Sequence, residues 1–226
     1  MIKFENITKI YSPEAIALKD VSFEIEKKEF ISIVGKSGAG KTTLLKLFLA
    51  SEKPTQGRIL FNNQDICDIT PEDICQHRKK IGAVFQDYKL LDSKTAYENV
   101  VYIMEVLGKS DEEILRDVPK VLDIVGLTER SHHYPNELSA GERQRTAIAR
   151  ALIHRPEVIL ADEPTGNLDP YNASDIIHLL LKINEMGTTI ILATHNKEIV
   201  NSLGKRVVTL DQGKLVRDEK KGRFIL

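Results

Sequence analysis

Three things are scarce in this chain, and each scarcity removes a class of function. Cysteine is the first: Cys67 and Cys75 are the only two in 226 residues. They lack metal-ligand spacing, and the expectation is a pair of reduced cytosolic thiols in a chain without a signal peptide. Long apolar runs are the second. The richest, Thr189 to Ala193, has the length of a strand and falls far short of the roughly 18 residues that a membrane span requires. Work at a membrane would therefore need a partner to hold the chain there. Charge of one sign is the third scarcity: 32 basic residues face 33 acidic ones, for a formal net charge of −1. No overall field draws the protein to nucleic acid or to an anionic membrane, although local patches remain open. The length suits one α/β domain with a large core, with or without an inserted subdomain, and is cramped for two.

What is present is arranged around Gly35-Lys36-Ser37-Gly38-Ala39-Gly40-Lys41-Thr42. The run Phe30 to Val34 before it has the length and β-branched content of a buried strand, and Leu44, Leu45, Leu47 and Phe48 after it give a helix its apolar face. A glycine-rich turn between strand and helix points successive backbone N–H groups inward, and the helix N-terminus adds about half a positive charge. Triphosphate is the natural ligand. Lys41 is then placed to reach the β- and γ-phosphates and the Thr42 hydroxyl to ligate Mg²⁺, with Thr43 following in the first turn.

Upstream, Ile2 to Ile7 and Val21 to Ile25 alternate as strands of an antiparallel β-layer. Tyr11 falls in a polar turn region between them, where its ring could stack on a base or be a half-buried loop tyrosine. Downstream come a strand at Arg58 to Phe61 and a short helix capped by Thr70 with Pro71 at its first position. Ile81 to Phe85 forms a buried strand that delivers Gln86 and Asp87 at its carboxyl end, where ligands of open α/β sheets sit. From about residue 88 to 138 the pattern turns helical, with capping boxes at Thr95/Glu98 and Ser110/Glu113. Pro119 predicts a kink or break in the second helix. His132 and His133 read as solvated surface histidines.

Leu138-Ser139-Ala140-Gly141-Glu142 then feeds an amphipathic helix whose polar start resembles a second anion site. Val158 to Ala161 is a buried strand ending in Asp162 and Glu163. The two carboxylates have a ready division of labour, Asp162 on Mg²⁺ and Glu163 on the attacking water. Asn167 to Pro170 closes the loop after them and a helix follows to Met186, a strand runs from Thr188 to Ala193, and Thr194-His195 stands at that strand's end. A hairpin joins Arg206–Leu210 to Leu215–Arg217, and Asp218 to Arg223 reads as a solvated tail.

Taken in order, the phosphate loop, Gln86, Ser139-Ala140-Gly141, Asp162-Glu163, Asn167-Leu168-Asp169 and His195 resemble an ABC-type ATPase. The resemblance covers nearly the whole chain. It implies an α/β P-loop NTPase core with an N-terminal antiparallel β-layer and a helical subdomain inserted at about 88–138, all within one domain, residues 1–226. It also implies a head-to-tail homodimer that sandwiches two molecules of ATP with Mg²⁺. Tyr11 would stack on adenine, residues 35–43 would hold the phosphates, and Gln86 would sense Mg²⁺ and the attacking water. Ser139, Ala140, Gly141 and Glu142 would form the signature that binds the γ-phosphate on the opposite subunit. His195 would contact the γ-phosphate and Asp169 would couple the two sites. Two positions depart from the family pattern. Ala140 stands where a glycine is usual, which adds a methyl close to phosphate, and Lys28 replaces a turn glycine, with only local consequence expected.

Within the family, Ser37 to Lys41, Glu52 to Thr55, Phe85 to Leu91 and Thr165 to Asp169 are similar to the bacterial cell-division branch, the FtsE type. That branch implies a membrane partner, FtsX, docking near Gln86 to Leu91 between core and helical insertion. It implies control of peptidoglycan hydrolases and a peripheral place on the cytoplasmic face of the membrane at the division site. The lipoprotein- and macrolide-export ATPases are the alternative, and they usually lack an acid at the Asp87 position. A chromosome or repair ATPase would need coiled-coil insertions and a basic face. A non-hydrolysing nucleotide module fits poorly with Lys41, Asp162, Glu163 and His195.

Overall fold

The structure, a computed structural model, describes residues 1–224. Two compact units make up the chain: Met1–Lys79 with the segment from Asn184 onward, and Lys80–Ile183. The first unit contains β1 (Ile2–Ser12), β2 (Ala15–Ile25), β3 (Phe30–Val34), α1 (Lys41–Phe48), β4 (Gln56–Phe61), β5 (Gln64–Asp65) and α2 (Pro71–Arg78). The second contains β6 (Ile81–Phe85), α3 (Ala96–Val106), α4 (Asp111–Ile124), α5 (Ala140–Leu152), β7 (Val158–Asp162) and nearly all of α6 (Pro170–Glu185). The chain then returns to the first unit for β8 (Thr189–Thr194), α7 (Lys197–Leu203), β9 (Arg206–Asp211) and β10 (Lys214–Glu219).

In the first unit an antiparallel layer runs in the order β2-β1-β4-β5. Its buried face is the alternating set that the sequence showed: Ile2, Phe4 and Ile7 with Val21, Phe23 and Ile25. Phe4 stacks on Phe23 at 4.7 Å between ring centroids. Beside it, β3 lies between β8 and β9 in parallel register, and all five of its residues are buried. A strand covered on both faces has no solvent side to alternate with, which is why Phe30 to Val34 reads as a continuous apolar run. β9 and β10 form the expected hairpin, turned at Gln212 and Gly213 with φ of 46° and 77°, the two positive values of a type I′ turn.

Phe48, fully buried at the end of α1, meets Phe61 edge-on at 5.3 Å and His77 of α2 at 5.5 Å. The His77 Nε2 lies 2.6 Å from the Phe48 carbonyl, so α2 caps the phosphate-loop helix from behind. Lys28 adopts φ 63°, the left-handed conformation that explains why a glycine suits the position. The Lys28 amide donates to Thr189 Oγ1 at 2.9 Å and its carbonyl accepts from Asn184 Nδ2 at 2.9 Å.

The reading of residues 218–223 as a solvated tail is corrected. Arg206 donates to both carboxylate oxygens of Asp218 at 2.7 Å, and Phe224 is buried against Val34, Val200 and Val207. An apolar anchor just beyond the charged run holds that run down. Helix α7 also escaped the sequence reading, although Asn196 accepts from the amides of Glu198 and Ile199 at its start and Gly204 ends it at φ 58°.

In the second unit β6 and β7 pair in parallel from Ile81↔Val158 to Phe85↔Asp162. Helices α3 and α4 begin at the two capping boxes read from the sequence. The break expected at Pro119 is absent, and α4 continues through it. Proline there removes the bond to the Leu115 carbonyl, but Leu115 is 68% exposed, so that carbonyl lies on the solvent side of the helix. The pair His132 and His133 also divides. His132 is exposed against the Tyr97 ring, whereas His133 is half-buried with its Nε2 3.2 Å from Arg130 Nη1. Burial pushes the Cys67 thiol of the first unit up to about 11, and its sulfur accepts from the Ile59 amide, so it is an inert thiol.

Candidate functional site

The phosphate loop occupies residues 35–42 between β3 and α1, as read. Gly40 caps α1 at φ 103°, and a Cβ there would come within 2.5 Å of the Ala17 carbonyl, so the position admits only glycine. Gly38 is also left-handed, at φ 81°, on the exposed outer part of the turn with Lys36 and Ser37, while Gly35 and Ala39 are buried beneath them.

The start of α1 is unlike that of its neighbours. Helices α2, α3, α4 and α5 each open on a Thr or Ser whose side chain accepts a backbone N–H, with an acid in the first turn. Helix α1 has neither a side-chain cap nor an acid, and places Lys41 at its first position. A cation at the positive end of a helix dipole is unfavourable unless an anion joins it. Lys41 is 6% exposed, and its Nζ donates to the carbonyls of Gly35 at 2.8 Å and Lys36 at 3.2 Å. Those bonds hold the ammonium in the mouth of the turn. Thr42 is exposed and Thr43 half-buried behind it.

Two further site residues read from sequence lie in the same unit. Val34 pairs with Thr194 across the β3–β8 ladder, so His195 leaves β8 beside the first glycine of the loop. Tyr11 is not in the turn but is the penultimate residue of β1, ahead of the turn at residues 13–14. Its ring is 52% exposed, and its hydroxyl donates to Glu52 Oε2 at 2.5 Å. Partial burial, together with that bond, raises the phenol pKa; the same bond holds the Glu52 carboxyl below its usual range.

In the second unit the β6–β7 register pairs Phe85 with Asp162, so Gln86 and Glu163 leave adjacent parallel strands at the same edge. Glu163 adopts φ 48°, which turns the chain sharply just after the strand. Gln86 donates from Nε2 to Asn167 Oδ1 at 3.3 Å, and Asn167 Nδ2 donates to the Gln86 backbone carbonyl at 3.0 Å. Beyond Gln86, Tyr88 and Lys89 are both left-handed, and their carbonyls accept from the Arg150 guanidinium of α5. The cation of Arg143 lies 5.5 Å from the Tyr88 ring. Burial lowers the Arg150 pKa from its usual range.

Ser139 caps α5: its Oγ accepts from the Glu142 amide at 3.2 Å, and Glu142 accepts the Ser139 amide at 2.8 Å. That backbone bond holds the Glu142 carboxyl below its usual range. The Ser-x-x-Glu spacing was present in the sequence, and this second use of it was missed there. Ala140 is the first residue of α5 and half-buried. Gly141 is buried against Asn172, whose Oδ1 would lie 2.6 Å from a Cβ at that position. Asn172 Nδ2 in turn donates to Asp169 Oδ2 at 2.5 Å, and that bond holds the Asp169 carboxyl below its usual range. Asn167 was quoted from sequence within the Asn167-Leu168-Asp169 run but without its bond to Gln86, and Asn172, Arg143 and Arg150 were given no role there. Asn167 meets Gln86 from 81 residues away, Asn172 meets Asp169 from 3, and Arg150 meets the Tyr88 and Lys89 carbonyls from 62 and 61, contacts that only the fold makes.

Residues 18–166 match the ABC transporter family. The chain belongs to that family. It is an ABC-type ATPase with the α/β P-loop fold. Over 99% of its length and 98% of the relative's, it is 48% identical to the protein of Mycobacterium tuberculosis named cell division ATP-binding protein FtsE. It is 42% identical over 96% of its length to methionine import ATP-binding protein MetN 1 of Bacillus cereus, of which it spans 64%. Its fold is similar to the dimeric, post-hydrolysis state of the ATP-binding cassette MJ0796 bound to ADP and Pi. The TM-score is 0.87 and the identity 37%, over 99% of this chain and 100% of the other. Among the described residues no helix is long and apolar enough to cross a membrane.

Proposed function

We propose that this chain is the ATP-binding and hydrolysing subunit of a cell-division complex of the FtsE–FtsX type, regulating peptidoglycan hydrolases rather than moving a substrate. The observation that carries the reading is the near end-to-end identity with FtsE, 48% over 98% of that protein. By the same reading it works peripherally on the cytoplasmic face of the membrane at the division site, within one ABC domain whose helical subdomain spans about 88–138. The MetN similarity supports a second reading, a transporter ATPase, and the lipoprotein- and macrolide-type exporters belong to it.

In this reading the chain acts as a homodimer, supported by the dimeric MJ0796 cassette. Residues 35–43 hold the triphosphate, and Lys41 transfers its hydrogen bonds from the Gly35 and Lys36 carbonyls to phosphate oxygens. The uncapped, acid-free start of α1 fits an anion there. Tyr11 stacks on adenine. Glu163 takes a proton from the attacking water, and His195 contacts the γ-phosphate. Ser139, Ala140, Gly141 and Glu142 serve the nucleotide of the other subunit, with Asp169 coupling the two. The donor set proposed for Mg²⁺ is the Thr42 hydroxyl, the Gln86 amide oxygen and the Asp162 carboxylate. It is all oxygen, as that hard cation requires, and incomplete without nucleotide phosphates, as is usual for Mg²⁺. Held there, Mg²⁺ would supply charge neutralisation to the triphosphate. The membrane partner docks at Gln86 to Leu91, a segment that α5 holds through Arg150 and Arg143.

The test is the position of a fluorescently tagged copy in dividing cells that contain the membrane partner. A band at the division site is the expected result. Uniform membrane signal would favour the transporter reading.

A further inference from the structure

The side chain of Asn167 bridges two parts of Gln86, and the chemistry of the two bonds fixes which way each amide faces. The Gln86 backbone carbonyl can only accept, so Asn167 must present its NH₂ to it, at 3.0 Å. The Asn167 carbonyl oxygen is then on the other side of the amide, where only a donor can approach. That donor is Gln86 Nε2, at 3.3 Å. With its nitrogen committed, Gln86 has one polar end outside the pair, the acceptor Oε1. The space for this arrangement is made by Gly166, because a Cβ there would lie 2.8 Å from Gln86 Nε2. Gln86 is exposed, and an exposed glutamine loses side-chain entropy when it is ordered. The lock removes part of that cost before any ligand arrives.

We infer that Asn167 is a positioning residue for Mg²⁺ binding, which turns the Gln86 amide so that its oxygen is presented to the cation. The inference rests on the reading of Gln86 as a Mg²⁺ ligand. Partners that orient a metal ligand are worth about 10- to 100-fold in metal affinity. A glutamine free to flip would offer NH₂ as often as oxygen, and NH₂ repels a cation.

The test measures the affinity of the full chain for a fluorescent, non-hydrolysable ATP analogue, with Mg²⁺ and with EDTA. The ratio of the two affinities reports the cation's share. Asn167→Asp keeps the size of the side chain but offers no donor to the Gln86 carbonyl. It is expected to lower the ratio about tenfold, as Asn167→Ala does, with the EDTA affinity unchanged. Combined with Gln86→Ala, either change is expected to add nothing, because both act through one group. Side-chain amide NMR of the nucleotide-free protein gives a readout independent of nucleotide. The Gln86 NH₂ is expected to be ordered in the native chain and mobile in Asn167→Ala. If Gln86→Ala lowers the ratio and the Asn167 variants do not, the inference is overturned and the reading of Gln86 stands. If Gln86→Ala itself leaves the ratio unchanged, that reading fails and the inference with it. An equal loss of affinity in EDTA and in Mg²⁺ would make Asn167 merely structural and also overturn it.

Discussion

Val34 and Thr194 face each other across the β3–β8 ladder, so the glycine-rich turn and His195 leave adjacent parallel strands at the same edge. Lys41 returns into that turn to hold the carbonyls of Gly35 and Lys36. The loop thus holds a buried ammonium in the mouth of the turn where phosphate would lie. Lys41→Ala is expected to abolish detectable ATP binding in a fluorescent-nucleotide titration. Unchanged affinity would count against the phosphate-loop assignment.

Tyr11 offers a test that separates stacking from hydrogen bonding. If its ring stacks on adenine, Tyr11→Ala should weaken nucleotide affinity by about tenfold or more, from the roughly 1–3 kcal/mol of a base–aromatic stack. Tyr11→Phe keeps the ring and should bind nearly as well as the native chain. Equal losses in the two variants would instead assign the effect to the hydroxyl bond with Glu52.

Gly141→Ala places a methyl 2.6 Å from Asn172 Oδ1, and Asn172 cannot yield easily because Asp169 holds its amide nitrogen. ATPase activity is expected to fall at least about tenfold, from the loss of geometry within a unit that must be accurately placed. Truncating Asn172 to alanine in the same chain should restore part of it. A fully active Gly141→Ala would show that this contact does not constrain the signature turn.

Much of the architecture was legible because it rests on periods and caps. The apolar run of β3, the alternation in β1 and β2, the boxes at Thr95/Glu98 and Ser110/Glu113, and the Gln212-Gly213 turn are each local in sequence. The misreadings came from forces that act at a distance or from tolerance that sequence does not show. Phe224 binds down a tail that looked solvated, because its pocket is made by Val34, Val200 and Val207. Pro119 is accommodated because the carbonyl it orphans is on an exposed face. The same division runs through the candidate site. Its motif residues announce themselves by spacing, whereas Asn172, Arg143 and Arg150, and the bond that Asn167 makes to Gln86, show only once the chain is folded.

His154 carries a pH dependence whose sign follows from its surroundings. Burial lowers its pKa, partly opposed by the bond from Nε2 to the Ile81 carbonyl at 3.3 Å, and its Nδ1 is buried without a partner. The folded state therefore disfavours the imidazolium. An unfolded histidine takes a proton near pH 6.5. Stability is present in full above that pH and is lost as pH falls from there through the lower folded value, by up to about 1.4 kcal/mol per pH unit between the two. Urea midpoints of the native chain and His154→Gln, taken at pH 7.5 and pH 5, should show a smaller acid loss in the variant. Equal losses would remove His154 as a contributor.

The central claim is that Glu163, turned off the end of β7 at φ 48°, activates the water that cleaves ATP. The most direct measurement is Mg²⁺-dependent phosphate release by Glu163→Gln, beside its ATP affinity. The account predicts that turnover falls about 10²- to 10⁴-fold, the usual worth of a general base, while ATP binding is kept. Near-normal turnover in that variant would contradict it.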